Sequence, residues 1–295
     1  MRNISILSLS FEPESLSEND ILKLIQENLI GKEDIVLLPE TCLGQQQINE
    51  LDDSFYSGLS KLASENNVYI QAGVNVKHNE SSHTNSAVLF DRKGGLAYKY
   101  DKMYPYWGEF DIEESKILPG KQLVFADTDF GRVSAAICFD ANICELWRGI
   151  GELDVELVLF SSYYSAGRQL SAHALNHHYA ITTATSKPDF VLYDIDGREV
   201  AYTRGNDKCS PLVSRVSVDM DKVICHANFN YEKLVKMIRE HRGIIEMEHF
   251  YDREEWCVVR SSSPEVSVRT LCLEYGVESL REYKRRSKKH MDMLR

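Results

Sequence analysis

The distribution of apolar residues over the first third of the chain predicts strands that alternate with helices. Residues 4–11 alternate apolar and small polar side chains, which is typical of a strand with one buried face. The segment from Ser17 to Asp20 resembles a helix capping box, and apolar residues then recur at helical spacing. Residues 35–38 are all apolar and predict a buried strand. This order is typical of a sheet covered by helices.

The same alternation continues to about residue 220. It predicts helices over 51–65 and 169–179, and strands over 68–76, 84–90, 95–99, 133–137, 155–160, 180–185, 190–195, 199–202 and 212–218. The turn sequences at 91–94 and 196–197 predict hairpins. Two similar halves result, roughly 1–100 and 130–220. After about residue 225 the pattern predicts only helices, over 231–241 and 278–294.

A cysteine stands where a buried strand is predicted to meet a helix. The strand ends at Cys138, and the residues from about Asn142 to Gly149 can form the helix. Backbone N–H groups just after such a turn are unpaired, so they can stabilise a developing negative charge. A single cysteine is more often a buried structural thiol than a nucleophile. The residues at two other strand ends favour a nucleophile over a structural thiol. Glu40 is the last residue of the segment IVLLPE, and Lys102 follows a predicted hairpin.

In this order and spacing, the chain resembles the nitrilase, or carbon–nitrogen hydrolase, superfamily, and its amidase-like branch in particular. The segments that carry the resemblance are IVLLPE, YKYDKMYPYWGEF, ILPGKQLVFADTDFGRVSAAICFD and ICELWR. The resemblance implies an α/β fold, a four-layer α-β-β-α sandwich of two stacked mixed sheets flanked by helices. It implies a catalytic domain over residues 1–225. Residues 226–295 would form a C-terminal extension that packs on this domain or at a subunit interface.

The residue chemistry supports the roles that the resemblance implies. A free thiol has a pKa of about 8.5, so Cys138 needs a base and a nearby cation to act as a nucleophile. Glu40, once removed from water, is suited to be that base. Lys102 supplies the positive charge and, with the backbone N–H of Phe139, can hold the oxyanion.

The resemblance also implies a second carboxylate in the pocket, on the loop after the lysine. Glu109 is preferred, and Glu114 is the second choice. Aromatic side chains at Trp107, Tyr163 and Tyr164 are candidate substrate-binding residues, although aromatic residues at strand ends are commonly part of the core. Asp140 is interpreted as a residue that orients the turn after the nucleophile.

Composition narrows the function classes further. A net charge of −11 over 295 residues argues against nucleic acid or an anionic membrane as partner. The seven cysteines form no CxxC pair, which argues against a disulfide framework or a structural zinc site and favours the cytoplasm. The first residues are interpreted as a strand and not as a signal peptide. His173 and His177 have a zinc-binding spacing but lack further ligands, so neither a metal nor a cofactor is expected.

The sequence therefore predicts a thiol hydrolase that cleaves a non-peptide C–N bond of a small amide, carbamoyl compound or nitrile through a thioester on Cys138. An N-acyltransferase that uses the same thioester is one alternative, and a non-catalytic interaction scaffold is another. A scaffold would not need Glu40, Lys102 and Cys138, and all three are present. The family resemblance implies a homodimer or a larger homo-oligomer.

Overall fold

The computed structural model describes residues 3–49, 53–110, 116–205 and 210–295. The chain divides into two compact units, one over Ile4–Ser217 and one formed mainly by Val218–Arg295. The boundary predicted after residue 225 lies within a strand of the second unit, Val223–His226. The interface role predicted for residues 226–295 stays a prediction.

The first sheet combines parallel strands with antiparallel hairpins. Its strands are β1 (Asn3–Ser10), β2 (Ile35–Leu37), β3 (Gln47–Ile48), β4 (Tyr69–Asn79), β5 (Ser82–Phe90), β6 (Leu96–Asp101), β7 (Lys116–Ile117) and β14 (Leu212–Asp219). Within the described residues, the order is β14-β1-β2-β4-β5-β6, with β3 paired to β4 and β7 to β5. Strands β1, β2 and β4 are parallel to one another, whereas β4, β5 and β6 are antiparallel.

The second sheet also combines parallel strands with an antiparallel hairpin. Its strands are β8 (Ala126–Thr128), β9 (Gly131–Ile137), β10 (Leu157–Ser162), β11 (Ala180–Thr185), β12 (Asp189–Tyr193) and β13 (Glu199–Arg204). They lie in the order β13-β12-β11-β10-β9-β8. Strands β9, β10 and β11 are parallel, and β12 and β13 form the hairpin. The carboxyl ends of parallel strands meet at one edge, which is where α/β folds usually place their chemistry.

Buried hydrogen bonds join the faces of the two sheets. The Ser8 hydroxyl donates to the Thr183 carbonyl at 2.8 Å, and the Gln71 amide donates to the Leu159 carbonyl at 3.2 Å. Because polar groups buried between sheets must be paired, these bonds help to fix how one sheet lies on the other. The stacked sheets are the two inner layers of the predicted sandwich.

Helices cover the outer face of each sheet and complete the four layers. Helices α1 (Glu18–Asn28) and α2 (Ser54–Asn66) bury their apolar faces against the first sheet. Helices α3 (Cys144–Glu152) and α4 (Gly167–His177) cover the second sheet, where the Trp147 ring lies 6.1 Å from that of Phe160. The capping box predicted at Ser17 is present, since Ser17 and Asp20 each accept from the other's backbone N–H. The predicted four-layer α-β-β-α fold is confirmed.

The second unit contains a small sheet that the sequence analysis did not predict. Its strands are β15 (Val223–His226), β16 (Ile245–Tyr251) and β17 (Trp256–Ser261), and its helices are α5 (Tyr231–Glu240), α6 (Val268–Tyr275) and α7 (Leu280–Met293). Strand β16 has Glu246, Met247 and Phe250 exposed, so its sequence lacks a clean alternation of buried and exposed positions. Periodicity therefore could not identify it. No helix within the described ranges is long and apolar enough to cross a membrane.

Candidate active site

The backbone at Cys138 makes an abrupt turn between strand β9 and a short 3₁₀ helix, Cys138–Asn142. Cys138 has a φ of 46°, which is in the left-handed region that residues with a Cβ rarely adopt. Strained positions of this kind persist where the surrounding structure holds them, and they are common at functional sites. The turn directs the thiol towards a cavity that Cys138 helps to line.

Asp140 is the residue that holds this turn. Its fully buried carboxylate accepts hydrogen bonds from the backbone N–H of Ile137 at 2.9 Å and from the Tyr100 hydroxyl at 2.7 Å. Its carbonyl oxygen accepts from the Trp147 indole at 2.8 Å. Burial raises the pKa of Asp140 to about 7, although these donors oppose the shift. These contacts agree with the interpretation of Asp140 as an orienting residue.

Glu40 lies just beyond the carboxyl end of strand β2 and is 6% exposed. The loop that carries it passes directly over Gly73 of strand β4, where a Cβ would lie only 2.6 Å from the Cα of Glu40. The N–H of Gly73 donates to the Pro39 carbonyl at 3.2 Å, and the N–H of Cys42 donates to the Gly73 carbonyl at 2.8 Å. A glycine is therefore required at position 73 to bring Glu40 this close to the sheet.

Lys102 follows strand β6, and its neighbours fix its backbone on both sides. Its N–H donates to the Asn85 carbonyl at 2.8 Å, and its carbonyl accepts from the N–H of Gly120 at 2.9 Å. A Cβ at Gly120 would collide with the carbonyl oxygen of Asp101, so the sequence Pro119-Gly120 allows this close approach. The Lys102 side chain is almost fully enclosed, with 1% exposed.

The Lys102 ammonium joins two carboxylates. Its Nζ lies 2.8 Å from Glu40 Oε1 and 2.8 Å from Glu109 Oε2. Burial alone would lower the pKa of Lys102, but the charges of Glu40 and Glu109 oppose it, and this pKa lies above its ordinary value. The ammonium is therefore retained in a nearly dry site.

Glu109 lies at the end of a short 3₁₀ helix, Trp107–Glu109, from which its side chain contacts Lys102. Its Oε2 also accepts a hydrogen bond from the N–H of Tyr106 at 2.8 Å. The structure thus brings the preferred candidate, Glu109, onto the lysine. The second choice, Glu114, lies outside the described residues.

Asn85, which the sequence analysis did not single out, connects the same two carboxylates. Its side-chain amide donates to Glu40 Oε1 at 2.8 Å and to Glu109 Oε1 at 3.1 Å. Both amide protons are used, while its Oδ1 is buried without a hydrogen-bond partner among the described residues. With its carbonyl on the Lys102 N–H, Asn85 contacts three of the charged residues of the site. The only sequence signal was an amide within an otherwise ordinary strand pattern.

The thiol of Cys138 lies within hydrogen-bonding reach of Glu40, and the N–H of Tyr163 donates to its sulfur. Burial and, after it, the Glu40 charge raise the pKa of this thiol to about 12, although the Lys102 ammonium opposes the shift. At neutral pH the sulfur is therefore protonated. A neighbouring base must take the proton as the sulfur attacks.

These groups face a cavity of about 490 Å³, which has the size of a small-molecule site. Phe139, Tyr163 and Tyr164 line it, as does Tyr106. Trp107 is the exception among the predicted binding residues. It is 76% exposed and is not part of the cavity wall, whereas its neighbour Tyr106 is.

His83 is a second residue of the cavity wall that the sequence analysis missed. It is 4% exposed, and burial lowers its pKa against the opposing charge of Glu109. The histidines considered as metal ligands have other contacts: His173 stacks on Trp147 at 4.5 Å and bonds to the Ala141 carbonyl at 2.9 Å. In the part of the chain that the structure describes, no group of side chains is arranged to hold a metal ion.

Both the sequence and the fold are similar to those of known proteins. The family model for carbon-nitrogen hydrolases matches residues 18–186. Among solved structures, a carbon-nitrogen hydrolase from Helicobacter pylori superposes with a TM-score of 0.65 at 16% identity, covering 82% of this chain and 96% of that one. Nit3 of Saccharomyces cerevisiae, a nitrilase-superfamily member, gives 0.63 at 13% identity, covering 84% and 97%. At such identities these structures show the fold alone.

The curated relatives match over shorter stretches. A deaminated glutathione amidase from Yersinia enterocolitica is 30% identical over 83 residues, which are 25% of this chain and 28% of that protein. The next two matches cover 43% and 24% of their own proteins, so the chain spans less than half of each of these relatives.

Proposed function

Since the chain belongs to the carbon–nitrogen hydrolase family, we propose that it hydrolyses a non-peptide C–N bond of a small amide or carbamoyl compound through a thioester on Cys138, with nitriles as a further substrate class. The observation that carries the proposal is the Lys102 ammonium held between Glu40 and Glu109 beside the Cys138 thiol. A base, a cation and a nucleophile share one cavity, as acyl transfer to a thiol requires.

In the first half of the proposed reaction, Cys138 gives its proton to Glu40 and its sulfur attacks the amide carbon. The negative charge that develops on the carbonyl oxygen is held by the Lys102 ammonium and the N–H of Phe139. One such donor is typically worth about 100- to 1000-fold in rate. Glu40 then passes the proton to the nitrogen, the C–N bond breaks, and ammonia or an amine leaves.

In the second half, water gives a proton to Glu40 and its oxygen attacks the thioester carbon. The C–S bond breaks, the acid is released, and Glu40 returns the proton to the sulfur. Glu109 keeps Lys102 in place throughout, and Asn85 stabilises the two carboxylates beside each other by donating to both. The left-handed turn at Cys138 supports the same assignment, because such a turn lets the sulfur face a carbonyl carbon while the next N–H faces the oxygen of that carbonyl.

The test is hydrolysis of a panel of small amides in water labelled with oxygen-18. The proposal expects release of ammonia together with one labelled oxygen in each acid product. An acyltransferase would instead form unlabelled acyl-amine when an amine is added and would release little acid. A scaffold would turn over none of the panel, and either result would contradict the proposal.

A further inference from the structure

The cavity carries more negative than positive charge. Its charged wall residues are Glu14, Glu40, Glu109 and Lys102. Lys102 is shared between Glu40 and Glu109, so these three together leave one negative charge in excess. His83 adds no cation at neutral pH, because burial lowers its pKa. Among the described wall residues, no second lysine and no arginine offsets the excess.

Glu14 adds a further carboxylate where the cavity opens. Its backbone φ of 67° is in the left-handed region, so the loop holds this residue in a conformation that costs free energy for a side chain with a Cβ. The side chain lies over Gly44, where a Cβ would collide with it. No described residue forms an ion pair with Glu14, so its charge faces whatever enters the cavity.

An unpartnered acceptor lies deeper in the same wall. Asn85 is 2% exposed, and its Oδ1 has no hydrogen-bond partner within the described residues, although both of its amide protons are used. A buried acceptor without a partner is costly, and a ligand N–H would satisfy it. The described wall of the cavity therefore presents hydrogen-bond acceptors and negative charge to a ligand. Its ammonium group, that of Lys102, is already paired with two carboxylates.

We infer that the cavity selects substrates that carry a cationic group, such as an ammonium or a guanidinium, within a few bonds of the scissile amide, and excludes those with a carboxylate there. This inference rests on the proposed function and specifies its substrate class. The physical reason is Coulombic, since an added carboxylate would meet excess negative charge in a partly dry site, whereas a cation would be attracted to it.

The test modifies Cys138 with methanethiosulfonates that carry an ammonium, a methyl or a sulfonate group. In each case the sulfur of Cys138 forms a disulfide with the reagent and methanesulfinate leaves, so the reaction needs no turnover. The Cys144→Ser variant is used throughout, because residues 133–148 hold both cysteines on one tryptic peptide. Rates at Cys138 are divided by the rates of the same reagents with 2-mercaptoethanol.

The cationic reagent is expected to be favoured over the anionic one by about tenfold or more. Glu14→Gln should reduce that ratio by about two- to fivefold, because Glu14 is exposed and partly screened. Glu12→Gln, on the same loop but outside the cavity wall, removes an equal charge and should change the ratio much less. Matched amides should follow the same order, with 4-aminobutanamide hydrolysed faster than glutaramic acid.

The outcomes separate this inference from the proposed function. Efficient modification by the neutral reagent, with the sulfonate reagent as fast as the ammonium reagent, would overturn the charge selection and leave the nucleophile intact. A ratio that does not respond to Glu14→Gln would overturn the role of Glu14. Failure of all three reagents at Cys138 would contradict the proposed function and the inference with it.

Discussion

Cys138 and Cys225 are both enclosed thiols, but they have different surroundings. Cys225 is fully buried in the core of the second unit, directly across the sheet from Cys257, with the two sulfur atoms 3.5 Å apart. Its neighbours are apolar side chains such as Val259 and Leu234. Cys138 instead faces a polar cavity beside Glu40 and Lys102.

The pKa of the thiol is raised in both regions, by burial at Cys138 and chiefly by the hydrogen bond with Cys257 at Cys225. Burial is the main reason that the pKa of Cys138 is raised to about 12, and it does the same for Cys42, which lies in the apolar core of the first unit. A shifted thiol pKa therefore does not identify a nucleophile in this protein. A base and a cation within reach of the sulfur distinguish Cys138, and the following predictions test that difference.

The largest effect is expected from removing the sulfur. Cys138→Ala should lower kcat by at least about 10⁴-fold, because no other group can form the acyl intermediate. The matched control is Cys225→Ala, which also removes a buried thiol and should leave kcat of the folded protein unchanged. Ammonia release measured at equal concentrations of folded protein checks both, and an active Cys138→Ala variant would remove the basis of the comparison.

Glu40→Gln should separate turnover from thiol reactivity. Turnover is expected to fall by about 10³-fold, because no base remains for the proton transfers. Alkylation of Cys138 by iodoacetamide should be retained or become faster, because the Glu40 charge and hydrogen bond raise the thiol pKa and their loss lowers it. The pH at which labelling reaches half its maximum rate should therefore fall. A rise in that pH would contradict the electrostatic account.

Glu109→Gln should lower kcat by about 10²- to 10³-fold, since Lys102 loses one of its two carboxylate partners. Glu114→Gln removes the other candidate on the same loop and is expected to cost less than about threefold. Steady-state rates of the two variants, with circular dichroism to check folding, decide between them. A larger loss of kcat in Glu114→Gln than in Glu109→Gln would identify Glu114 as the pocket carboxylate.

Asn85→Ala should lower kcat/KM by about 10- to 100-fold, because both carboxylates lose a donor that stabilises their charged form. The acid limb of the pH–rate profile should move to higher pH for the same reason. Asn85→Ser, which retains a donor at a shorter reach, should recover part of the rate. A lower rate with an unmoved pH profile would indicate that Asn85 only packs.

The smallest effect on turnover is expected in the core of the second unit. Cys225→Ser places a hydroxyl among apolar side chains and should lower the free energy of unfolding by about 1–3 kcal/mol, with kcat unchanged. Urea unfolding and ammonia release give the two quantities. A loss of kcat without a loss of stability would make Cys225 more than a packing residue.

The sequence pattern predicted the alternation of strands and helices because most of these elements have clear periodicity, and the family resemblance implied that they form a four-layer sandwich. It also predicted Glu40, Lys102 and Cys138, because a charged or nucleophilic residue at the end of a buried strand is conspicuous. Asn85 could not be recognised, since its role depends on two carboxylates that are far away in sequence. Trp107 was a candidate pocket residue, but its neighbour Tyr106 lines the cavity instead, and the sequence pattern could not distinguish them because both are aromatic. The strands at 245–261 in the small sheet of the second unit were not predicted, because β16 lacks a clean alternation of buried and exposed positions and its pairing with β17 contains a register shift.

The most direct measurement of the central claim is the mass of the protein after brief reaction with p-nitrophenyl acetate, an activated acyl donor. The account predicts an acetyl group on the peptide that contains Cys138, removable by hydroxylamine as a thioester is, and lost in Cys138→Ala but kept in Cys225→Ala. Acetylation of a different cysteine, or an adduct on that peptide that survives Cys138→Ala, would contradict it.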